Sequence, residues 1–205
     1  MSHLTGRATR QAARDLLAHA WPVLIAQLAS IGMMAVDTAV LGHVSAEDLA
    51  AVAIGGGIHV SIMFALIGVL QAIAPLAAHA RGAGDEAGVL AGLHQGIWLA
   101  GLLCLPGIAL LLHPGALLGL VTLEPVVEVK VRQYLALLAW GLPPALCYRA
   151  CYIFCNALGR PRVLMLIGIV ALGLHAVLAW GWAAAGWLGE PLGVLGCAAA
   201  NVLIA

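Results

Sequence analysis

An all-α integral membrane bundle is the fold class that this sequence predicts, and three observations predict it. Hydrophobic residues make up 63% of the 205 positions and charged ones 9%, against roughly 45–50% apolar and 25% charged in a soluble domain. The apolar residues come in long runs, and a run that spans hydrocarbon must satisfy its own backbone, which makes each a helix. The few charges sit between the runs, and their sign alternates from one side of the membrane to the other.

Six apolar stretches follow in order, over roughly 17–42, 50–78, 90–112, 132–157, 162–187 and 191–205. A span needs about 20 residues; the first five qualify and the sixth is cut short by Ala205. The expectation is therefore a piece of something longer, a truncated lobe. Arg7, Arg10, Arg14, Arg81, Arg160 and Arg162 flank one side. Glu47, Asp48, Glu124, Glu128 and Glu190 flank the other, with only Lys130 and Arg132 as cations. Positive charge stays inside, which places the N-terminus in the cytoplasm and the chain in a plasma (inner) membrane as a multi-pass protein. The apolar run after the first arginines is too long for a signal peptide. Pro22, Pro75, Pro106, Pro143 and Pro144 fall within spans and favour kinks, and Gly55-Gly56-Gly57 allows close helix approach or a local break.

Several function classes drop out. The net charge is zero and no basic run suits nucleic acid. Serine-elbow, zinc-protease and phosphate-loop motifs are missing, so no enzyme is expected. Cys104, Cys147, Cys151, Cys155 and Cys197 lie in apolar segments without zinc-site spacing. The stripe Cys147, Cys151, Cys155 reads as packing rather than metal, and no cofactor is implied.

Inside the first span stands Asp37. A carboxylate at the centre of a membrane helix costs about 2.5–3.5 kcal/mol, and such residues mark ion or substrate paths or bond to a neighbouring helix. Helical steps put Gln27, Ser30 and Met34 on the same stripe as Asp37, as candidates to line a substrate cavity. Arg149, between Tyr148 and Tyr152, pairs with a carboxylate, lines a vestibule or snorkels to the interface. His175 shares a proton near neutral pH or is a packing residue. Asn156, Asn201 and Gln71 are interhelical hydrogen-bonders, and the six tryptophans mostly sit near span ends as an aromatic belt.

The stretch PVLIAQLASIGMMAVDTAVLGHVSAEDLAAVAI, from Pro22 on, resembles the opening of the multidrug and toxic-compound extrusion transporters. AIAPLAAHARGAG (Ala72–Gly84), LHQG (Leu93–Gly96), LGRP (Leu158–Pro161) and GVLGCAAA (Gly193–Ala200) follow in the family's order, closest to its norfloxacin-exporter branch. The resemblance implies the six-helix N-terminal lobe, last helix incomplete, of a twelve-helix exporter whose C-terminal lobe is missing. It also implies antiport of cationic or amphipathic drugs against H+ or Na+, with Asp37 as the ion-coupling carboxylate. This chain has His175 and Ala179 where relatives often show asparagines, Asn156 where they often carry an acid, and His79 for a usual Gln. Fewer neutral oxygens leans the expectation to protons, with His175 sharing them. Protonation would bend the first helix around Pro22 and Gly32. The rival readings are a lipid-linked sugar flippase of the same superfamily, and a non-transporting remnant or scaffold.

Overall fold

A computed structural model describes residues 2–119, 123–159, 161–187 and 190–204, so Arg160 and Ala205, used above, lie outside the described residues. Eight helices follow one another, and no strand occurs among the described residues: α1 Ser2–Gly42, α2 Ala46–Leu70, α3 Ile73–Gly82, α4 Glu86–Leu112, α5 Gly115–Leu118, α6 Pro125–Ala157, α7 Pro161–Ala183 and α8 Val194–Ile204.

The first helix begins well before its apolar part, because Ala, Arg and Gln across residues 7–14 are helix formers in their own right. It runs unbroken through Pro22. Its last turn is closed by the His43 ring, whose Nδ1 lies 2.7 Å from the Ala39 carbonyl oxygen. Ser45 then caps α2, its Oγ accepting from the Asp48 backbone N–H at 3.0 Å. Glu47 and Asp48 in that first turn complement the helix dipole.

The expected second span is two helices. Proline at position 75 offers no N–H, and its ring collides with the carbonyl four residues back, that of Gln71. The helix breaks there, with a tighter Ala74 N–H to Gln71 O bond of 3.1 Å carrying the chain into α3. The glycine triplet does not break α2. Instead Gly55 lets the Tyr134 ring approach to where a Cβ would stand, 2.8 Å from Cδ1. After α3, Gly84 takes φ +69°, the left-handed conformation that favours glycine, and Asp85 caps α4 by accepting from Gly88 N–H at 2.9 Å.

The lobe is built around α6, which packs against α2, α3, α4, α7 and α8. Its Val131, Leu135, Leu142 and Leu146 are completely buried, with Leu41, Leu70 and Leu111 from the surrounding helices. By length and composition, Leu16–Gly42, Ala46–Gly82, Glu86–Leu112 and Pro161–Ala183 can cross a membrane. The expected span 132–157, within α6, does not join them. It carries Arg132, Gln133, Arg149 and Asn156. A helix sheltered by its neighbours meets little lipid, so it tolerates that polarity.

Small residues set the helix approaches. Gly32 on α1 faces Leu172 on α7, 3.1 Å from its Cβ position, and Gly141 on α6 faces Val202 on α8. Helix α7 ends at Ala183, four residues before the expected 187. There Gly186 and Gly193 adopt left-handed φ of 67° and 54°, and the chain doubles back. Leu192 N–H donates to Trp182 O and Gly193 N–H to Ala183 O, which pins the turn to the end of α7. Trp98 and Trp140 project outward from mid-helix, 81% and 79% exposed, and so stand apart from the belt expected at span ends.

At one end of the lobe Lys130 reaches both Glu47 and Asp48 at 2.8 Å, joining α6 to α2. The two carboxylates hold its ammonium above the ordinary lysine range. This contact puts residues assigned from loop charge to one membrane face side by side.

Candidate ion-coupling site

Position 37 falls five residues before the end of α1, on the flank that turns toward α7 and α8. Asp37 is only 4% exposed and His175, opposite it on α7, is fully buried. His175 Nε2 lies 2.8 Å from Asp37 Oδ1. Asn201, from α8, donates through Nδ2 to Asp37 Oδ2 at 2.8 Å and to the Cys197 carbonyl at 3.1 Å. Both groups facing that amide nitrogen are acceptors, which sets which way round the amide lies. The Cys197 side chain lies beside the same carboxylate. Thus α7 and α8 each bring a side-chain nitrogen within hydrogen-bond distance of one oxygen of the α1 carboxylate, which lipid would otherwise reject.

An ionised Asp37 requires the proton of a neutral His175 on Nε2. That leaves Nδ1 as an acceptor, and Nδ1 is buried without a partner among the described residues. A cation such as sodium wants several oxygens around it, whereas the neighbours here are N–H donors. The described residues contain no group of three or more His, Cys, Asp or Glu able to hold a metal.

The other sequence candidates divide into two settings. Gln27, Ser30 and Met34 lie on the open side of α1, exposed, so the stripe shared with Asp37 splits: three residues face outward and the fourth inward. Arg149 reaches from α6 to Ser30, its Nη2 donating to Oγ at 3.4 Å. Its guanidinium lies 5.5 Å from the Tyr152 ring centre, and Tyr148 packs against Tyr152 at 6.2 Å and 57°. Asn156 is partly buried, and its Oδ1 has no partner among the described residues. Pro22 is buried in an uninterrupted helix and Gly32 is filled by Leu172, so the proposed hinge pair occupies packed positions. Gln71 is exposed at the α2–α3 break, and Asn201 is the asparagine that reaches Asp37.

Sequence reasoning passed over His59. It lies on α2 with a buried Nε2 that has no partner among the described residues. Its signal was present, a lone imidazole between Ile58 and Val60 in an apolar run. The Lys130 cluster had no such signal, because its members are 83 residues apart.

A family model, MatE, matches residues 22–180. A "probable multidrug resistance protein NorM" of Aromatoleum aromaticum is 47% identical over 189 residues, covering 92% of this chain and 41% of the relative. The multidrug resistance protein NorM of Aliivibrio fischeri is 35% identical, covering 89% of this chain and 40% of that protein. Among solved structures, the Vibrio cholerae MATE transporter VcmN in its bent form superposes with a TM-score of 0.84 at 22% identity, over 97% of this chain and 44% of that one. The chain spans about two-fifths of the length of these relatives. With a family model over most of its length and a helical fold that superposes on a solved MATE transporter, the chain belongs to the MatE family of multi-pass membrane transporters.

Proposed function

We propose that the chain is the N-terminal lobe of a secondary active multidrug exporter, in which protons taken up at Asp37 and His175 are exchanged for cationic or amphipathic compounds. The observation that supports this reading is the buried carboxylate–imidazole contact at 2.8 Å. A site with one net negative charge inside a membrane protein binds a proton or a drug cation, and each excludes the other. Gln27, Ser30, Met34, Arg149 and Asn156 line the drug's side of the lobe, with the N-terminus cytoplasmic and a C-terminal lobe closing the cavity. The N–H donors around Asp37 favour protons over sodium. The lobe alone, lacking the other wall, does not transport.

The test joins the chain to a C-terminal lobe from a relative and follows efflux of a fluorescent cation from vesicles. An imposed proton gradient should drive efflux in a sodium-free buffer, and Asp37→Asn should abolish the response. Because protons compete with the drug, equilibrium drug affinity should fall as pH falls, and Asp37→Asn should flatten that profile. Sodium-driven efflux indifferent to pH would overturn the coupling assignment.

A further inference from the structure

We propose that Arg149, Tyr152 and Ser30 form a subsite for the acidic group of an amphipathic substrate, lying two turns of α1 from Asp37. This rests on the exporter reading and names a substrate class for it: compounds that carry a carboxylate or similar oxyanion on an aromatic body, zwitterions included.

The first argument is the cost of the arginine. A guanidinium at membrane depth requires an anion or a rich set of acceptors. Among the described residues no carboxylate pairs with Arg149; the nearby acid, Asp37, has its oxygens engaged by His175 and Asn201. Snorkelling does not account for the direction either. The side chain crosses to Ser30, near the middle of the apolar segment Leu16–Gly42, instead of running to the end of its own helix.

The second argument is the character of the groups around it. Tyr152 is 8% exposed, yet its hydroxyl has no partner among the described residues. Ser30 accepts from Arg149, so its own hydroxyl hydrogen is free to point elsewhere. Unused guanidinium N–H groups, a tyrosine O–H and a serine O–H together make a site rich in donors. Such a site selects an acceptor, and the planar fork of arginine suits a carboxylate held through two bonds. The Tyr148–Tyr152 pair offers an aromatic wall for the body of the ligand. Access comes along the open face of α1, where Gln27, Ser30 and Met34 are exposed.

Phospholipid phosphate shares this chemistry, and the experiment separates the two sources. The full chain is placed in neutral-lipid nanodiscs, and binding of a rhodamine free acid and of its methyl ester is measured by fluorescence anisotropy. The two probes differ only in the oxyanion. Arg149→Gln should weaken the free acid by about tenfold or more and the ester by far less, since a hydrogen bond to a charged group is worth that factor. Tyr152→Phe, which keeps the ring, should weaken the acid selectively by a smaller factor. Arg149→Lys should fall between wild type and Arg149→Gln. Thermal unfolding of each variant shows that it is folded.

Equal weakening of acid and ester, or acid binding indifferent to Arg149→Gln, overturns the subsite and leaves the exporter reading intact, provided the ester binds and is displaced by acidification. Binding of neither probe overturns the subsite. Native mass spectrometry supplies the last arm. A phospholipid that is retained by the wild type, lost in Arg149→Gln and not displaced by the free acid makes the occupant a lipid phosphate, and the substrate assignment falls.

Discussion

Asp37, His175 and Asn201 are separated by 138 and 164 positions in sequence, and their meeting is a matter of single hydrogen bonds. Asn201 contributes by satisfying the second carboxylate oxygen, and by tying that oxygen to the Cys197 carbonyl of its own helix. Its removal leaves a buried acceptor with one donor fewer. Asn201→Ala should therefore destabilise the lobe by about 1–3 kcal/mol, the cost of an unsatisfied buried group. A lowered midpoint of thermal unfolding in detergent would show it, and an unchanged midpoint would mean that water replaces the amide. The sequence alone made Asp37 conspicuous, because a charge in a run of apolar residues is visible by inspection. It made His175 a candidate for the same reason. It gave Asn201 no such distinction: the reading offered three amides as equals, and only the fold shows which of them reaches the carboxylate.

At the scale of elements, the helices follow from local chemistry and their joints from a few special residues. Ser45 and Asp85 start α2 and α4 as side-chain caps, and Pro75 divides what composition reads as one span. The α7–α8 joint is tighter. A Cβ on Gly196 would stand 2.6 Å from the Ala183 backbone nitrogen and 2.7 Å from the Trp182 carbonyl carbon. Backbone atoms held by the neighbouring turn cannot step aside as a flexible side chain does. Gly196→Val should thus force α8 away from α7, costing about 1–3 kcal/mol as an overpacked core does. Because α8 carries Asn201, it should also loosen the Asp37 site. The check is thermal unfolding together with the pH profile of drug affinity; loss of stability with an unchanged profile would separate α8's packing from its role at the site. Periodicity could not announce this joint, since glycine in an apolar run reads equally as close contact or as nothing.

For the whole molecule, the arrangement of loops is the property to test. The Lys130 contacts bring the starts of α2 and α6 to one end of the lobe, in keeping with the sign alternation of the loops. An N-terminus in the cytoplasm predicts that a cysteine at Ala83, in the α3–α4 turn, reacts with a membrane-impermeant thiol reagent only in opened cells. A cysteine at His113, beyond α4, should react in intact cells. The reverse pattern would invert the topology and move the Asp37 site to the other half of the membrane. What the sequence by itself determined is the helical membrane class, the family and the one carboxylate at issue. These rest on hydropathy, on loop charge and on motifs in order, all properties of neighbours along the chain. The tertiary structure decided the partners. Which imidazole and which amide meet Asp37, why Arg149 turns to Ser30, and why polar α6 lies at the centre depend on helix faces brought together across more than a hundred residues. No local pattern encodes that distance, because packing, and not propensity, selects which faces touch.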